Sequence, residues 1–226
     1  MTMRTSSSRN VAVILSGCGF QDGSEIHEAV CTLLALDQQG AKYQCFAPDI
    51  TQTRVINHYT QTEASTETRN VLVESARIAR GNIQPLSAFQ VAQFDALALP
   101  GGFGAAVNLS NFATAGVQCT VQTDVARAVT GMHQARKPIG ALCIAPVILA
   151  KLVPAARITV GQDADTAAAC QGMGAQHHNT GQGEVVVDVQ NRLVTTPCYM
   201  LDTHISQIYD GAQALVRELL RLTGNA

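Results

Sequence analysis

Tryptophan is absent from this chain, and aromatic residues make up only 4% of its 226 residues. Stacking platforms for nucleobases are therefore not expected. Charge is also sparse: 14% of residues are Asp, Glu, Lys or Arg, and the formal balance is -2. Without a basic patch, neither nucleic acid nor an anionic membrane surface is an expected partner. No apolar run reaches the roughly 20 residues of a membrane span, so no membrane partner is expected on that ground either. The seven cysteines (Cys18, Cys31, Cys45, Cys119, Cys143, Cys170 and Cys198) are odd in number, and no C-x-x-C occurs. A disulfide framework and a structural zinc site both fit poorly. No metal and no cofactor is expected, and a reducing cytoplasm is the expected location. Residues 1–10 are polar and Ser-rich, with Arg4 and Arg9 but no apolar centre of a secretion signal. They read as a disordered tail before one domain over 11–226, with a transit peptide as the alternative.

What is present is an alternation of short apolar runs and helix-periodic segments. Val11–Ser16, Lys42–Ala47, Asp95–Leu99 and the run from Pro138 read as strands. Several are apolar throughout, as strands buried on both faces are. Helices are predicted over Glu25–Gln39 with Ser24 as N-cap, Glu67–Arg80, Asp124–Ala135, Ala145–Leu152, Asp165–Met173 and Thr203–Leu222. Thr51–Thr66 reads as irregular with a small hairpin, Asn108–Cys119 as a loop or short helix, and Arg157–Val160 as a strand. Val185–Val189 and Leu193–Thr196 read as two strands about an Asn191-Arg192 turn. The pattern predicts a doubly wound, mostly parallel α/β sheet flanked by helices, flavodoxin-like, with ligands beyond the carboxyl ends of the strands.

Chemistry concentrates at that edge. Ile139-Gly140-Ala141-Leu142 ends abruptly at Cys143, and a helix-compatible segment follows at once. A strand–turn–helix elbow there lifts the thiol beside backbone N–H groups, lowers its pKa and makes it a nucleophile. Alternatively, Cys143 is a small buried hydrophobe. Gly101-Gly102 lets the backbone approach a substrate and, with the N–H of Ile144, form an oxyanion hole worth about 3 kcal/mol per donor; otherwise it is a tight turn. Glu25 and Glu28 lie in the first turns of the first helix, where either serves as a proton shuttle or merely complements the helix dipole. His27, His177 and His178 are possible bases or ligands, although His177-His178-Asn179 reads as surface loop. Cys18 and Cys198 each follow a strand, as packed thiols or as redox partners of Cys143.

Leu99-Pro100-Gly101-Gly102, Asn108-Leu109-Ser110 and Ala141-Leu142-Cys143-Ile144-Ala145-Pro146 resemble the ThiJ/PfpI superfamily, with its class I glutamine amidotransferase-like fold. Ile14 to Gly19, Asp22 to Glu28, Thr66 to Asn70 and Pro100 to Ala113 look like one branch, the isoprenoid biosynthesis glyoxalases, or enhancing lycopene biosynthesis (ElbB) proteins. The resemblance implies a glutathione-independent glyoxalase that turns small dicarbonyls into hydroxy acids, glyoxal into glycolate. Cys143 would add to the aldehyde and a glutamate would move the proton. Counting back from Gly40 places that glutamate at Glu28, with Glu25 as rival, and the oxyanion glycine at Gly102. Many relatives carry a histidine about twenty residues after the cysteine, where this chain reads Thr159-Val160-Gly161-Gln162-Asp163. A glutamine amidase therefore ranks last. A regulatory or redox-sensing binding protein with an oxidisable Cys143 is the remaining alternative. Relatives of this fold self-associate, so a homo-oligomer, a dimer, is expected.

Overall fold

The computed structural model describes residues 8–224. Most of the expected tail lies outside the described residues, and Asn10, placed in that tail, already belongs to the first strand. The elements run β1 (Asn10–Ile14), α1 (Ile26–Gln38), β2 (Lys42–Ala47), β3 (Ile56–Asn57), β4 (Thr62–Glu63), α2 (Val71–Ile78), β5 (Ile83–Pro85), β6 (Ala96–Leu99), α3 (Gly104–Val107) and α4 (Phe112–Ala115). They continue with α5 (Thr123–Gln134), β7 (Ile139–Leu142), α6 (Pro146–Leu152), β8 (Arg157–Ile158), α7 (Ala164–Gly172), β9 (Gln176–His177), β10 (Val186–Asp188), β11 (Leu193–Thr196) and α8 (Ile205–Thr223).

Seven strands form the central sheet in the order β10-β11-β7-β6-β1-β2-β5. Every pairing is parallel except β10 with β11. β1, β6 and β7 sit in the middle, and from Val11 to Ile14, Ala96 to Leu99 and Ile139 to Leu142 they are buried. Burial on both faces explains why these strands read as continuous apolar runs. α8 packs on α1, β7 and β11, while α5 packs on β6 and β7. Gly140 lets α8 close on the sheet, because a Cβ there would stand 2.8 Å from Leu215 Cδ2. The chain leaves β1 toward β2 on one side and returns through β6 on the other. That reversal opens a crevice at the carboxyl ends of β1, β6 and β7.

Several local expectations need correction. Ser24 does not cap α1. Glu25 does, its Oε2 accepting the Glu28 N–H at 2.7 Å, while Ser24 Oγ accepts the N–H of Ser16 at 2.8 Å. α2 starts at Val71 rather than Glu67, because Asn70 Oδ1 accepts the Val73 N–H at 3.0 Å and fixes its first turn. His177 is not in a surface loop: it belongs to β9, paired in parallel with β8, and its Nε2 accepts the Val160 N–H at 3.2 Å. β5 adds an edge strand that the sequence pattern did not suggest. The hairpin inside Thr51–Thr66 is formed by β3 and β4.

Candidate functional site

The apolar strand β7 delivers Cys143 to the crevice, and α6 leaves it with Pro146 in its first turn. Between them Cys143 adopts a φ of 60°, a left-handed conformation rare for a side chain with a Cβ, and its N–H donates to Thr196 O at 2.9 Å. The residue is 7% exposed.

Glu28 enters from the first turn of α1 and is fully buried. Its Oε1 accepts the Tyr199 N–H at 3.1 Å, whereas the equally buried Oε2 has no hydrogen-bond partner of ordinary geometry. Oε2 lies across Gly101 from the elbow: a Cβ on Gly101 would collide with Glu28 Oε2, Cys143 Cβ and Leu142 O. This is a position where a glycine is required for close approach. Burial, and then the charge of Glu25, push the Glu28 carboxyl up to about 8, against the pull of the Tyr199 N–H, the Cys143 thiol and the Gly101 N–H. Of the two rival acids, then, Glu28 meets the thiol. Glu25 caps the helix, lines the pocket mouth with a side chain 12% exposed, and is itself raised by burial.

The thiol does not follow the expectation of a lowered pKa. Burial and then the charge of Glu28 raise Cys143, and the N–H groups of Gly102 and Ile144 offset only part of that. α6 is too short and too apolar at its start to reverse the cost of desolvating a buried sulfur. The two groups titrate as a pair. Once Glu28 carries the proton, its repulsion of the thiolate disappears. A single shared proton rests on sulfur, the group raised further, and two backbone donors are aimed at that sulfur when Glu28 takes the proton.

Gly102 (φ 98°) and Ile144 were expected as oxyanion donors with Gly101, and their N–H groups converge on the sulfur. The Gly101 N–H acts on Glu28 instead. A Cβ on Gly102 would collide with Glu25 N, Gly23 O and the carbonyl carbon of Ser24. The loop after β1 is itself pinned by residues whose part no motif announced. Asn108 Nδ2 donates to Ser16 O at 2.9 Å and Asp22 O at 2.8 Å, and Asp22 Oδ2 accepts the Ile56 N–H at 2.7 Å. Asn108 stood inside a quoted motif, but its role depends on a loop more than eighty residues away in sequence.

The pocket over Cys143 has a volume of about 240 Å³, and its lining includes Phe20, Phe103, Thr166, Tyr199 and Met200. Among the described residues, no histidine lines it. His27 hydrogen-bonds through Nδ1 to Tyr199 Oη at 2.9 Å at the rim, and His178 reaches Arg157. Cys18 is half-buried beside Glu74 and outside the pocket lining, whereas buried Cys198 feels the charges of Glu28 and Cys143. Among the described residues, no group of three or more His, Cys, Asp or Glu is arranged to hold a metal.

The fold and elbow define a protein of the ThiJ/PfpI and DJ-1 superfamily, class I glutamine amidotransferase-like in architecture. Drosophila melanogaster DJ-1beta shares the fold at a TM-score of 0.53 and 17% identity, over 96% of this chain and 97% of that one. Much nearer is an isoprenoid biosynthesis protein with an amidotransferase-like domain from Ehrlichia chaffeensis, at a TM-score of 0.89 and 36% identity, covering 95% of this chain and 99% of that one. No family profile matches the chain. By sequence it is 47% identical to the rat ES1 protein homolog, mitochondrial, over 95% of this chain and 84% of that protein. It is 48% identical to the human glutamine amidotransferase-like class 1 domain-containing protein 3, mitochondrial, over 95% and 83%. The chain belongs to this ES1 family within the superfamily. These relatives, like the zebrafish ES1 protein, are named as mitochondrial, which corrects the cytoplasmic expectation.

Proposed function

We propose that this chain is a cofactor-independent, glutathione-independent glyoxalase that converts glyoxal-type dicarbonyls to hydroxy acids through Cys143 and Glu28. The observation that carries the reading is the buried Glu28 carboxyl, raised to about 8, with its unpartnered Oε2 facing Cys143 across Gly101. A group poised to hold and release one proton near neutral pH is what an intramolecular proton transfer requires.

The steps follow from that pair. The Glu28 carboxylate takes the Cys143 proton as the sulfur bonds to one carbonyl carbon, and the π electrons move to oxygen, near the N–H groups of Gly102 and Ile144. Glu28 gives its proton to that oxygen, forming a hemithioacetal. The Glu28 carboxylate then takes the hydrogen from the hemithioacetal carbon, and the electron pair passes through an enediol. The proton is returned to the neighbouring carbon, which becomes the alcohol carbon of a thioester. Water cleaves the thioester, releasing the hydroxy acid and restoring the thiol and the Glu28 carboxylate. Dicarbonyl plus water gives hydroxy acid, with no net electron change.

The test is hydroxy-acid formation from glyoxal by wild type and Cys143→Ala. We expect the variant to lose roughly a thousandfold or more in kcat/KM, the usual consequence of removing a nucleophile. Equal turnover by the two proteins would overturn the assignment. No turnover by wild type, together with selective peroxide oxidation of Cys143, would favour the redox-sensing alternative.

A further inference from the structure

The pocket over Cys143 does not stand alone. A second pocket of about 370 Å³ adjoins it, lined by Phe20, Glu25, His27 and Tyr199, and three of these residues, Phe20, Glu25 and Tyr199, line the first pocket as well. The reacting centre thus opens into a larger annex. Glyoxal, with two carbons and two oxygens, occupies only the ground next to the sulfur.

The annex has a definite chemistry. Phe20, shared with the pocket over Cys143, is 48% exposed, and Phe103, in the wall of that first pocket only, is 37% exposed. Phe103 is held by the Arg54 guanidinium 4.8 Å from its ring centre, and that guanidinium also donates to Gln21 O at 2.8 Å. Phe20 packs edge-on against the His58 ring at 5.3 Å between centres. Tyr199 is fixed by the His27 hydrogen bond at its hydroxyl and by its backbone N–H on Glu28. The rings are therefore positioned before a ligand arrives. Among the described residues, no lysine or arginine lines either pocket, and Glu25 stands at their junction. An anionic substrate, such as a 2-oxo acid or a phosphorylated sugar, would find a carboxyl and neither a lysine nor an arginine.

From this juxtaposition we infer that the substrate class is an uncharged 2-oxoaldehyde bearing an apolar, planar substituent, held between Phe20 and Tyr199 while its aldehyde meets Cys143. The inference rests on the glyoxalase reading for its chemistry but not for its binding surface. An aromatic wall recognises a flat apolar group by offset or edge-on ring contact.

The experiment measures kcat/KM for phenylglyoxal, methylglyoxal and glyoxal, by chromatography of mandelate, lactate and glycolate, on wild type and Phe20→Ala. We expect phenylglyoxal to exceed glyoxal about tenfold or more in wild type, the discrimination a hydrophobic pocket gives for added apolar atoms. Phe20→Ala should bring that ratio close to one, and Phe20→Leu should restore part of it. Equal kcat/KM for the three aldehydes in wild type, or an unchanged ratio in a folded Phe20→Ala protein, would overturn the inference. If no aldehyde is turned over, the glyoxalase reading fails but the annex is still tested. Acetophenone, which carries the ring without the aldehyde, should slow alkylation of Cys143 more than acetone does in wild type, and no more than acetone in Phe20→Ala. Equal protection by the two ketones in wild type would sink the annex itself.

Discussion

The two ends of the central sheet carry cavities of opposite character. At the amino end a cavity of about 530 Å³ is lined by Asp95, Arg136, Lys137 and Arg192, among others. It is more than twice the size of the pocket over Cys143 and far more highly charged. Yet its charges are answered by the backbone. Lys137 Nζ donates to Val91 O at 2.7 Å and Phe94 O at 2.5 Å, Arg136 to Gln190 O at 3.0 Å, and Arg192 to Leu222 O, while Asp95 Oδ2 accepts the Asn10 N–H at 2.8 Å. These residues tie down the loops entering β6, β7 and β11. At the carboxyl end the cavity is small, but a buried Glu28 oxygen without a hydrogen-bond partner faces a cysteine held at a left-handed φ. Unmet electrostatic demand, rather than size or charge count, distinguishes the reactive end.

The sharpest way to break this contrast is to satisfy Glu28 without ionisation. Glu28→Gln keeps the shape and the Tyr199 contact but cannot shuttle a proton. Hydroxy-acid formation should fall about 10²- to 10⁴-fold, the range for a lost general acid–base. The stability readout has a defined sign. A carboxyl raised from 4.5 to about 8 in the folded chain binds its proton more tightly there than when unfolded. Its contribution is full below pH 4.5 and is lost as the pH rises through about 8. Wild type should therefore lose stability between pH 5 and 9, by at most a few kcal/mol, since each tenfold gain in proton affinity is worth about 1.4 kcal/mol. Glu28→Gln should lose that slope in denaturant unfolding. An unchanged slope would mean that Glu28 does not titrate there.

A second intervention is steric. Gly101→Ala places a methyl group against Glu28 Oε2, Cys143 Cβ and Leu142 O, two of them parts of the reactive pair. Overpacking of this kind costs about 1–3 kcal/mol. We expect a lower denaturation midpoint together with loss of hydroxy-acid formation. Full activity in this variant would show that the thiol and carboxyl need not approach one another across Gly101.

Much of this was legible in the sequence because the central strands are buried on both faces. Val11–Ile14, Ala96–Leu99 and Ile139–Leu142 carry their fold in buried runs without a polar residue, and the elbow follows from where the last one stops. β5 and β9 were not legible. They are three and two residues long and lie at sheet margins, where backbone pairing rather than a side-chain pattern defines them. Cys143 and the glycine pair announced themselves through motif spacing. The choice between Glu28 and Glu25 did not, because both fall in the opening turns of α1 and only the helix start decides which is buried. The direction of the thiol shift was illegible for a related reason: helix proximity shows in sequence, whereas the depth of burial around Cys143 depends on Gly101, Tyr199 and α1 arriving together. The annex residues Phe20 and Tyr199 come from loops after β1 and β11, which share no motif.

The smallest expected effect tests the amino end. Lys137 is the best-anchored cation there, bridging two carbonyls in the turn before β6. Lys137→Met keeps the aliphatic stem and removes the ammonium group. The two carbonyls then turn to water, which the open cavity admits, so the loss should be near the 1 kcal/mol net value of a hydrogen bond rather than the larger cost of a sealed, orphaned group. A shift of about that size in the denaturation midpoint, with kcat/KM within about twofold of wild type, is the expected result. The cause is mechanical: Lys137 ties down the turn before β6 and stands at the entry to β7, whereas Cys143 hangs from the exit of β7, with an entirely buried strand between them. If removing this ammonium group instead reduced hydroxy-acid formation as strongly as Glu28→Gln, the sheet would be transmitting strain end to end. The division between an anchoring end and a reacting end would then have to be abandoned.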